Sequence, residues 1–171
     1  MRGKTLNLYK ISIYKQHSKV IAENIYPWEQ DKAVHHTQLM MSSYQRWTGL
    51  TLLNTTGSPK QIAQALFDAD FVLVSHGIEA DPIYNYANYK ALQLWQLNWE
   101  DFTSMSSRKS AEELAQEERN RLLAETTAKG FSNFSGVRVN SCGKRFQIED
   151  GIIWNLLNKA NKYCGQAAMF Y

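Results

Sequence analysis

The sequence has little of what stabilises proteins that lack a large core. Its 171 residues include only two cysteines, three prolines and nine glycines, which argues against a disulfide scaffold and a collagen-like chain. The net charge is only +3, too little by itself to indicate a nucleic-acid partner. No apolar run approaches the ~20 residues that span a bilayer. We therefore expect neither nucleic acid nor a membrane among the partners.

The N-terminal segment also lacks the uninterrupted apolar stretch of a signal peptide, because Asn7, Lys10 and Ser12 interrupt it. Without a secretion signal, Cys142 and Cys164 are expected to be reduced thiols in a cytoplasmic protein. The cysteines and histidines show no C-x-x-C or H-x-x-x-H spacing, so no metal site is predicted.

The residues that are abundant predict a folded domain. Apolar residues make up 44% of the chain, with seven phenylalanines, nine tyrosines and five tryptophans. A chain of this length buries roughly 70% of its unfolded surface. We divide it into a basic N-terminal tail (1–27), an N-terminal helix with a linker (28–57) and one sheet-containing domain (58–171).

Three helices are predicted from their ends. Pro27 precedes an apolar repeat at three- and four-residue steps, and Gly49 ends it. Residues 58–61, Ser-Pro-Lys-Gln, have the form of a capping box. Asn88 is expected to cap a helix that carries Trp95 on its apolar face.

Strands are predicted from short apolar runs. Residues 71–74 form a continuous apolar run, typical of a strand covered on both faces, and residues 83–86 form a second strand. A helix over 112–129 separates these from three antiparallel strands with turns at 142–143 and 158–161. In the middle one, four apolar residues share a face if the strand stays regular: Phe146, Ile148, Ile152 and Trp154.

This order of elements predicts an α+β fold, a PAS-like five-stranded antiparallel sheet with helices on one face, preceded by N-terminal helices. Such a sheet leaves a cavity beneath the helices, and ligands often bind in such places.

Short strings across residues 28–170 carry a resemblance to a known family. They are Phe71-Val-Leu-Val-Ser-His-Gly77, Asp81-Pro-Ile-Tyr-Asn-Tyr-Ala-Asn88, Ala91-Leu92 with Trp95, Ser107-Arg108, Ser110-Ala111-Glu112, Ser135-Gly-Val-Arg138 and Gly165-Gln-Ala-Ala168. Together they resemble the MEKHLA family, a branch of the PAS-like sensory domains, in its stand-alone bacterial or cyanobacterial form. The resemblance implies a small molecule in the cavity, or dimerisation through the sheet. It supplies no catalytic residue and no cofactor.

Six aromatic side chains are candidates for lining a pocket for an apolar or planar ligand, although a packed core explains them equally well. They are Trp95, Trp99, Phe102, Phe146, Trp154 and Phe170.

His76, Arg108 and Arg138 are the polar candidates. Ser75 and His76 with Asp81 have the composition of a hydrolase triad, but neighbouring side chains on a strand point to opposite faces. We therefore expect His76 to hydrogen-bond within its turn.

The arginines offer guanidinium groups for a carboxylate. Arg138 and Arg145 flank the 142–143 turn and, with Arg108, could bind a carboxylate of a ligand, of a partner, or of the chain's own Glu149. The internal pair with Glu149 is favoured.

Three functions follow as hypotheses. The first is a non-enzymatic PAS-like module that senses a small ligand and signals through an unidentified protein, or through a second copy that docks by the N-terminal helices. The second is an interaction adaptor whose core its own side chains fill. The third is an enzyme that acts on a small hydrophobic substrate through His76 or Asp81.

Overall fold

The computed structural model describes residues 26–171, so nearly all of the predicted basic tail lies outside the described residues. Five helices and five strands follow one another in this range. The helices are α1 (Asp31–Thr48), α2 (Pro59–Phe67), α3 (Tyr89–Trp95), α4 (Trp99–Thr103) and α5 (Gln116–Lys129). The strands are β1 (Val72–His76), β2 (Tyr84–Ala87), β3 (Phe131–Val139), β4 (Arg145–Leu157) and β5 (Tyr163–Phe170).

The strands form one antiparallel sheet in the order β2-β1-β5-β4-β3. This confirms the predicted α+β class with a five-stranded antiparallel sheet. Helices α3, α4 and α5 cover one face, which we call the inner face, and α1 lies across the opposite, outer face. Within residues 26–171 no helix is both long and apolar enough to cross a membrane.

The predicted helix ends are confirmed. Ser58 and Gln61 form the reciprocal capping box of α2, and Gly49 ends α1 in the left-handed conformation at φ 72°. Asn88 accepts from the Ala91 amide at 3.1 Å and from the Leu73 amide at 3.0 Å, so one side chain caps α3 and binds it to β1. Helix α5 begins at residue 116 rather than 112, because residues 113–115 form a 3-10 turn.

Strand β1 is buried along its whole length and separates two cores. Val72 and Val74 point to the inner face, and Leu73 points to the outer face. The inner core lies beneath the helices and contains Phe67, Val72, Val74, Tyr84, Ala87, Ala91, Leu92, Trp95, Phe102, Ile148 and Phe170. The outer core lies beneath α1 and contains Met40, Tyr44, Leu52, Leu66, Phe71, Leu73, Tyr86, Trp154, Leu156 and Ala167.

Strand β4 changes face, so the prediction that Phe146 and Trp154 share one face is wrong. Between the pairs Phe134–Gly151 and Gly136–Ile148, β4 advances one residue more than β3. An extra residue in one strand is a bulge, and it reverses the alternation of side chains beyond it. Ile148 therefore belongs to the inner core and Trp154 to the outer core.

Hydrogen bonds tie α1 to the outer face of its own sheet. The Trp154 indole N–H donates to the Met40 carbonyl at 3.2 Å, and the His36 Nε2 lies 2.7 Å from the Ser75 hydroxyl. Met40 is fully buried and Tyr44 nearly so. Helix α1 therefore covers its own sheet with these side chains, and a second copy that docks by the N-terminal helices would contact other residues of α1.

Truncation of Trp154 tests the outer core. Its ring is fully buried and packs edge-on against Tyr44, with centroids 4.9 Å apart. We expect Trp154→Ala to lower the free energy of unfolding by ~3–5 kcal/mol, measured by urea denaturation. Trp154→Phe, which loses the hydrogen bond and part of the ring, should lose less. A loss below about 1 kcal/mol for Trp154→Ala would contradict the placement of this side chain.

The burial of His36 should make stability depend on pH. Burial lowers the pKa of His36 from 6.5 to about 4, with the charge of Lys32 acting in the same direction. As the pH falls from 6.5 towards 4, the unfolded chain takes up a proton that the folded chain does not. The free energy of unfolding should therefore fall over this window, by up to ~3 kcal/mol from this group.

The matched variants are His36→Gln and His35→Gln, compared by urea denaturation across this window. His35 is exposed on the same helix, so its replacement should leave the decline in place, whereas His36→Gln should make the decline shallower. Equal pH dependence of His36→Gln and the natural protein would refute the assignment.

Candidate functional site

A cavity of about 50 Å³ lies between the inner face of the sheet and α5. All five strands contribute to it, and α5 and the turn at Ser107–Ser110 roof it. Side chains from the sheet are Val74, His76, Tyr84, Phe134, Arg138, Ile148, Ile153, Gln166, Ala168 and Phe170. Side chains from outside the sheet are Trp95, Ser107, Ser110, Arg119, Leu122 and Leu123. This volume has room for about four water molecules.

The floor of the cavity holds two acceptor atoms without partners. His76 Nδ1 lies 2.8 Å from the Gly77 carbonyl, which can only accept, so Nδ1 carries the proton. This confirms the predicted turn hydrogen bond. Burial lowers the pKa of His76, which keeps the ring neutral and leaves Nε2 as an acceptor. Gln166, opposite His76 in the sheet, uses its NH₂ in hydrogen bonds to the protein, while its Oε1 is buried without a partner.

The close approach of two strands fixes the position of this floor. Gly165 has φ 143°, and a Cβ atom there would collide with the carbonyl oxygen of His76. Glycine is the residue that permits both this conformation and this approach. The backbone at Gly165 therefore sets Gln166 beside His76.

The roof carries two guanidinium groups, Arg119 from α5 and Arg138 from β3. Arg119 is only 7% exposed, and its Nη2 donates to the Ser107 hydroxyl. Arg138 lies over the Phe134 ring, 5.9 Å from the centroid. Within residues 26–171, neither guanidinium has a carboxylate within 4 Å. Burial lowers the pKa of both arginines, and the charge of Arg138 lowers that of Arg119 further.

A chain of hydroxyl groups links the roof to β2. The Ser110 hydroxyl donates to the Ser107 carbonyl at 2.7 Å, so its oxygen accepts from the Tyr84 hydroxyl at 2.9 Å. Burial raises the pKa of Tyr84, which keeps the phenol protonated. This network holds the 3-10 turn, and with it the Ser107 hydroxyl that orients Arg119.

Only two of the six aromatic candidates line the cavity. Trp95 and Phe170 line the cavity, and Phe102 and Phe146 pack edge-on against Trp95 with centroids 5.6 and 5.0 Å away. Trp99 packs against Phe67 and Tyr86. Trp154 lies on the outer face because of the β4 bulge, and it does not reach the cavity.

Two of the three polar candidates also line the cavity. His76 and Arg138 line the cavity, but Arg108 lies at the surface, where its Nε is 3.1 Å from Asp81. Arg145 pairs with Glu112 through two hydrogen bonds at 2.5 and 3.0 Å, so the predicted pairing with Glu149 is wrong for this arginine. The turn before α5 brings Glu112 to the β3–β4 hairpin, a contact that local sequence does not reveal.

A triad of Ser75, His76 and Asp81 does not form. Ser75 points to the outer face, where its hydroxyl donates to the Asn85 side-chain oxygen at 2.6 Å, while His76 points into the cavity. Asp81 accepts from Ser106 at 2.7 Å and pairs with Arg108. Among residues 26–171 there is also no cluster of three or more metal-ligating side chains.

Sequence reasoning missed several lining residues, of which Arg119 is the most informative. A signal was available for it, because Arg119 stands three and four positions before Leu122 and Leu123 and seven before the buried Thr126. That spacing places Arg119 on the buried face of α5. Tyr84, Ser107, Ser110 and Gln166 gave no such signal, since only tertiary contacts bring them together.

Comparison with solved structures shows the fold. The PAS domain of a protein from Colwellia psychrerythraea superposes with a TM-score of 0.59 at 12% identity, covering 66% of this chain and 93% of that one. An RNA-binding light-oxygen-voltage receptor gives a TM-score of 0.56 at 14% identity, covering 71% and 36%. A light-oxygen-voltage domain studied with a flavin analogue gives 0.53 at 14%, covering 64% and 82%. These likenesses show a PAS-like fold and nothing finer.

A flavin does not fit the cavity of this chain. Small-molecule pockets are typically about 300–1,000 Å³, whereas this cavity measures about 50 Å³. Cys142 is exposed in the β3–β4 turn, and the Cys164 thiol lies near the Leu156 carbonyl, so neither lines the cavity.

No curated protein matches the chain in sequence. The family model of the MEKHLA domain matches residues 34–171, a span that takes in most of α1 as well as the sheet. The division of the chain between residues 57 and 58 stays a prediction. With most of its length matched, the chain belongs to the MEKHLA domain family.

Proposed function

We propose that this chain is a sensory or regulatory module that binds a small molecule in the inner cavity and signals by contact with another protein or with a second copy. The observation that carries this proposal is the set of buried polar groups around the cavity that lack partners. A buried polar atom left without a hydrogen bond costs about 1–3 kcal/mol. A ligand that supplies the missing partners would recover that free energy.

The strand end at Ser75 and His76 suggests how occupancy reaches the surface. His76 faces the cavity, while its neighbour Ser75 contacts His36 of α1 on the outer face. The register between β1 and β2 shifts between these two residues. A ligand that moves His76 would therefore disturb the contact that holds α1, and α1 would present the change to a partner.

The adaptor is the second candidate, and the packing of the inner core favours it. The Trp95 ring contacts Phe102, Phe146 and Phe170, with centroids 5.0 to 6.3 Å apart. These side chains fill most of the space beneath the helices. In this case the cavity is a packing defect, and binding to a partner does not depend on it. For the sensor and the adaptor alike, we propose a bacterial or cyanobacterial form of the family and a cytoplasmic location.

Native mass spectrometry of the purified protein, combined with a cavity-filling variant, separates the two candidates. Ala168 lies on the inner face of β5 and lines the cavity. The sensor predicts a small molecule that travels with the protein and is lost on collisional activation. Ala168→Leu should remove it, because the added carbons occupy the space, whereas Ala124→Leu, exposed on α5, should retain it.

The adaptor predicts a bare mass for all three proteins. A bare natural protein would therefore count against the sensor, and so would a bound molecule that Ala168→Leu retains as well as Ala124→Leu does.

A further inference from the structure

We infer that the inner cavity binds the carboxylate of a small hydroxy or amino acid, with the carboxylate between Arg119 and Arg138 and the hydroxyl or amine on His76 and Gln166. This inference rests on the proposed function and adds the chemical class of the ligand. It differs from the apolar or planar ligand that the aromatic residues predict. An apolar or planar ligand would contact Trp95 and Phe170 but leave the guanidinium groups of Arg119 and Arg138 without a carboxylate.

The first argument is the positive charge. Removing a charged group from water is costly unless an opposite charge or several hydrogen bonds replace the water. The guanidinium of Arg119 is buried, and its hydrogen bonds go to the neutral side chains of Ser107 and Asn120. A carboxylate matches the planar fork of a guanidinium with two parallel hydrogen bonds.

No acid among residues 26–171 supplies that carboxylate. Asp81, the acid whose charge acts on Arg119, is bound to Arg108 and Ser106 at the surface. Glu118, whose charge acts on Arg138, is exposed on α5 and forms no salt bridge with it. The place of the anion is therefore open to a ligand.

The second argument is the set of unpartnered neutral atoms. His76 Nε2 and Gln166 Oε1 are both acceptors, both more than nine-tenths buried, and they come from paired positions on β1 and β5. Two acceptors side by side call for a donor, such as a hydroxyl or an amine. The indole N–H of Trp95 is a buried donor without a partner and suits a second oxygen.

The third argument is access and size. A surface groove of about 240 Å³ between α5 and β3 shares Arg119, Leu122, Phe134 and Arg138 with the cavity. The two arginines thus stand in the wall between groove and cavity, and the groove is also lined by Arg121, Glu118 and Glu125. The cavity itself has room for about four water molecules, which limits the ligand to acids of two or three carbon atoms.

The test is titration calorimetry of the full chain at constant ionic strength with glycolate, lactate and glycine. Acetate lacks the hydroxyl or amine donor and lactamide lacks the negative charge, so the two serve as matched comparison ligands. Inorganic phosphate reports the binding of any anion. We expect lactate or glycolate to bind at least tenfold more tightly than acetate and lactamide. Phosphate binding as tightly as the best acid would overturn the carboxylate assignment.

The variants Arg119→Lys and Arg138→Lys keep the charge and lose the fork, and each should weaken binding of the acid at least tenfold. Arg46→Lys, on the outer face in α1, is the matched control and should bind like the natural protein. His76→Phe should abolish the preference for glycolate over acetate. Unchanged affinity in both cavity variants would refute the inference.

Thermal unfolding gives a second measurement, which keeps the inference testable if one of the binding variants misfolds. Because Arg119 is buried without a carboxylate, Arg119→Met should unfold at a higher temperature than the natural protein without ligand, and should gain nothing from added acid. If no acid binds, but native mass spectrometry finds an uncharged molecule that Ala168→Leu loses, the inference fails and the proposed function stands. If nothing binds in either experiment, both fail.

Discussion

The burial of β1 on both faces is the constraint on which the rest of the structure depends. Its central valines pack beneath the helices of the inner face, while Leu73 packs beneath α1. A strand that is covered on both faces has no solvent-exposed side, so each polar residue on it needs a specific partner. Ser75 finds one in His36, and His76 finds one in its own turn. The C-terminal end of β1 is therefore where buried polar side chains face both cores, Ser75 on the outer face and His76 on the inner face.

Features that depend on neighbouring residues were predictable from the sequence. The capping box at Ser58, the cap at Asn88 and the apolar run of β1 each follow from chemistry within a few positions. The face of Trp154 was not predictable, because a bulge reverses the alternation of β4 and no residue type announces it. The pairing of Arg145 with Glu112 spans 33 positions, and only the path of the 3-10 turn brings the two together.

The cavity was predictable as a place but not as a chemical environment. A sheet covered by helices implied the space, and aromatic residues implied an apolar wall, which Trp95 and Phe170 supply. The polar atoms come from separate elements: Arg119 from α5, Arg138 from β3 and Gln166 from β5. Helical periodicity places Arg119 on the buried face of α5, whereas the other two positions depend on strand register. Charged residues on buried faces are the sequence signal that merits most weight, because stability alone disfavours them.

Under the proposed function, the outer face of the sheet serves stability and the inner face serves binding. The outer face is closed by aromatic packing and by hydrogen bonds from α1, such as that from Trp154 to Met40. The part of the inner face at the cavity is covered by α5, whose two fully or nearly buried side chains are Arg119 and Thr126. A helix with so few apolar contacts opens at a lower free energy than the core it covers. Opening of α5 would widen access to the cavity while the outer core holds the sheet together, and the proposed ligand would then enter without unfolding the domain.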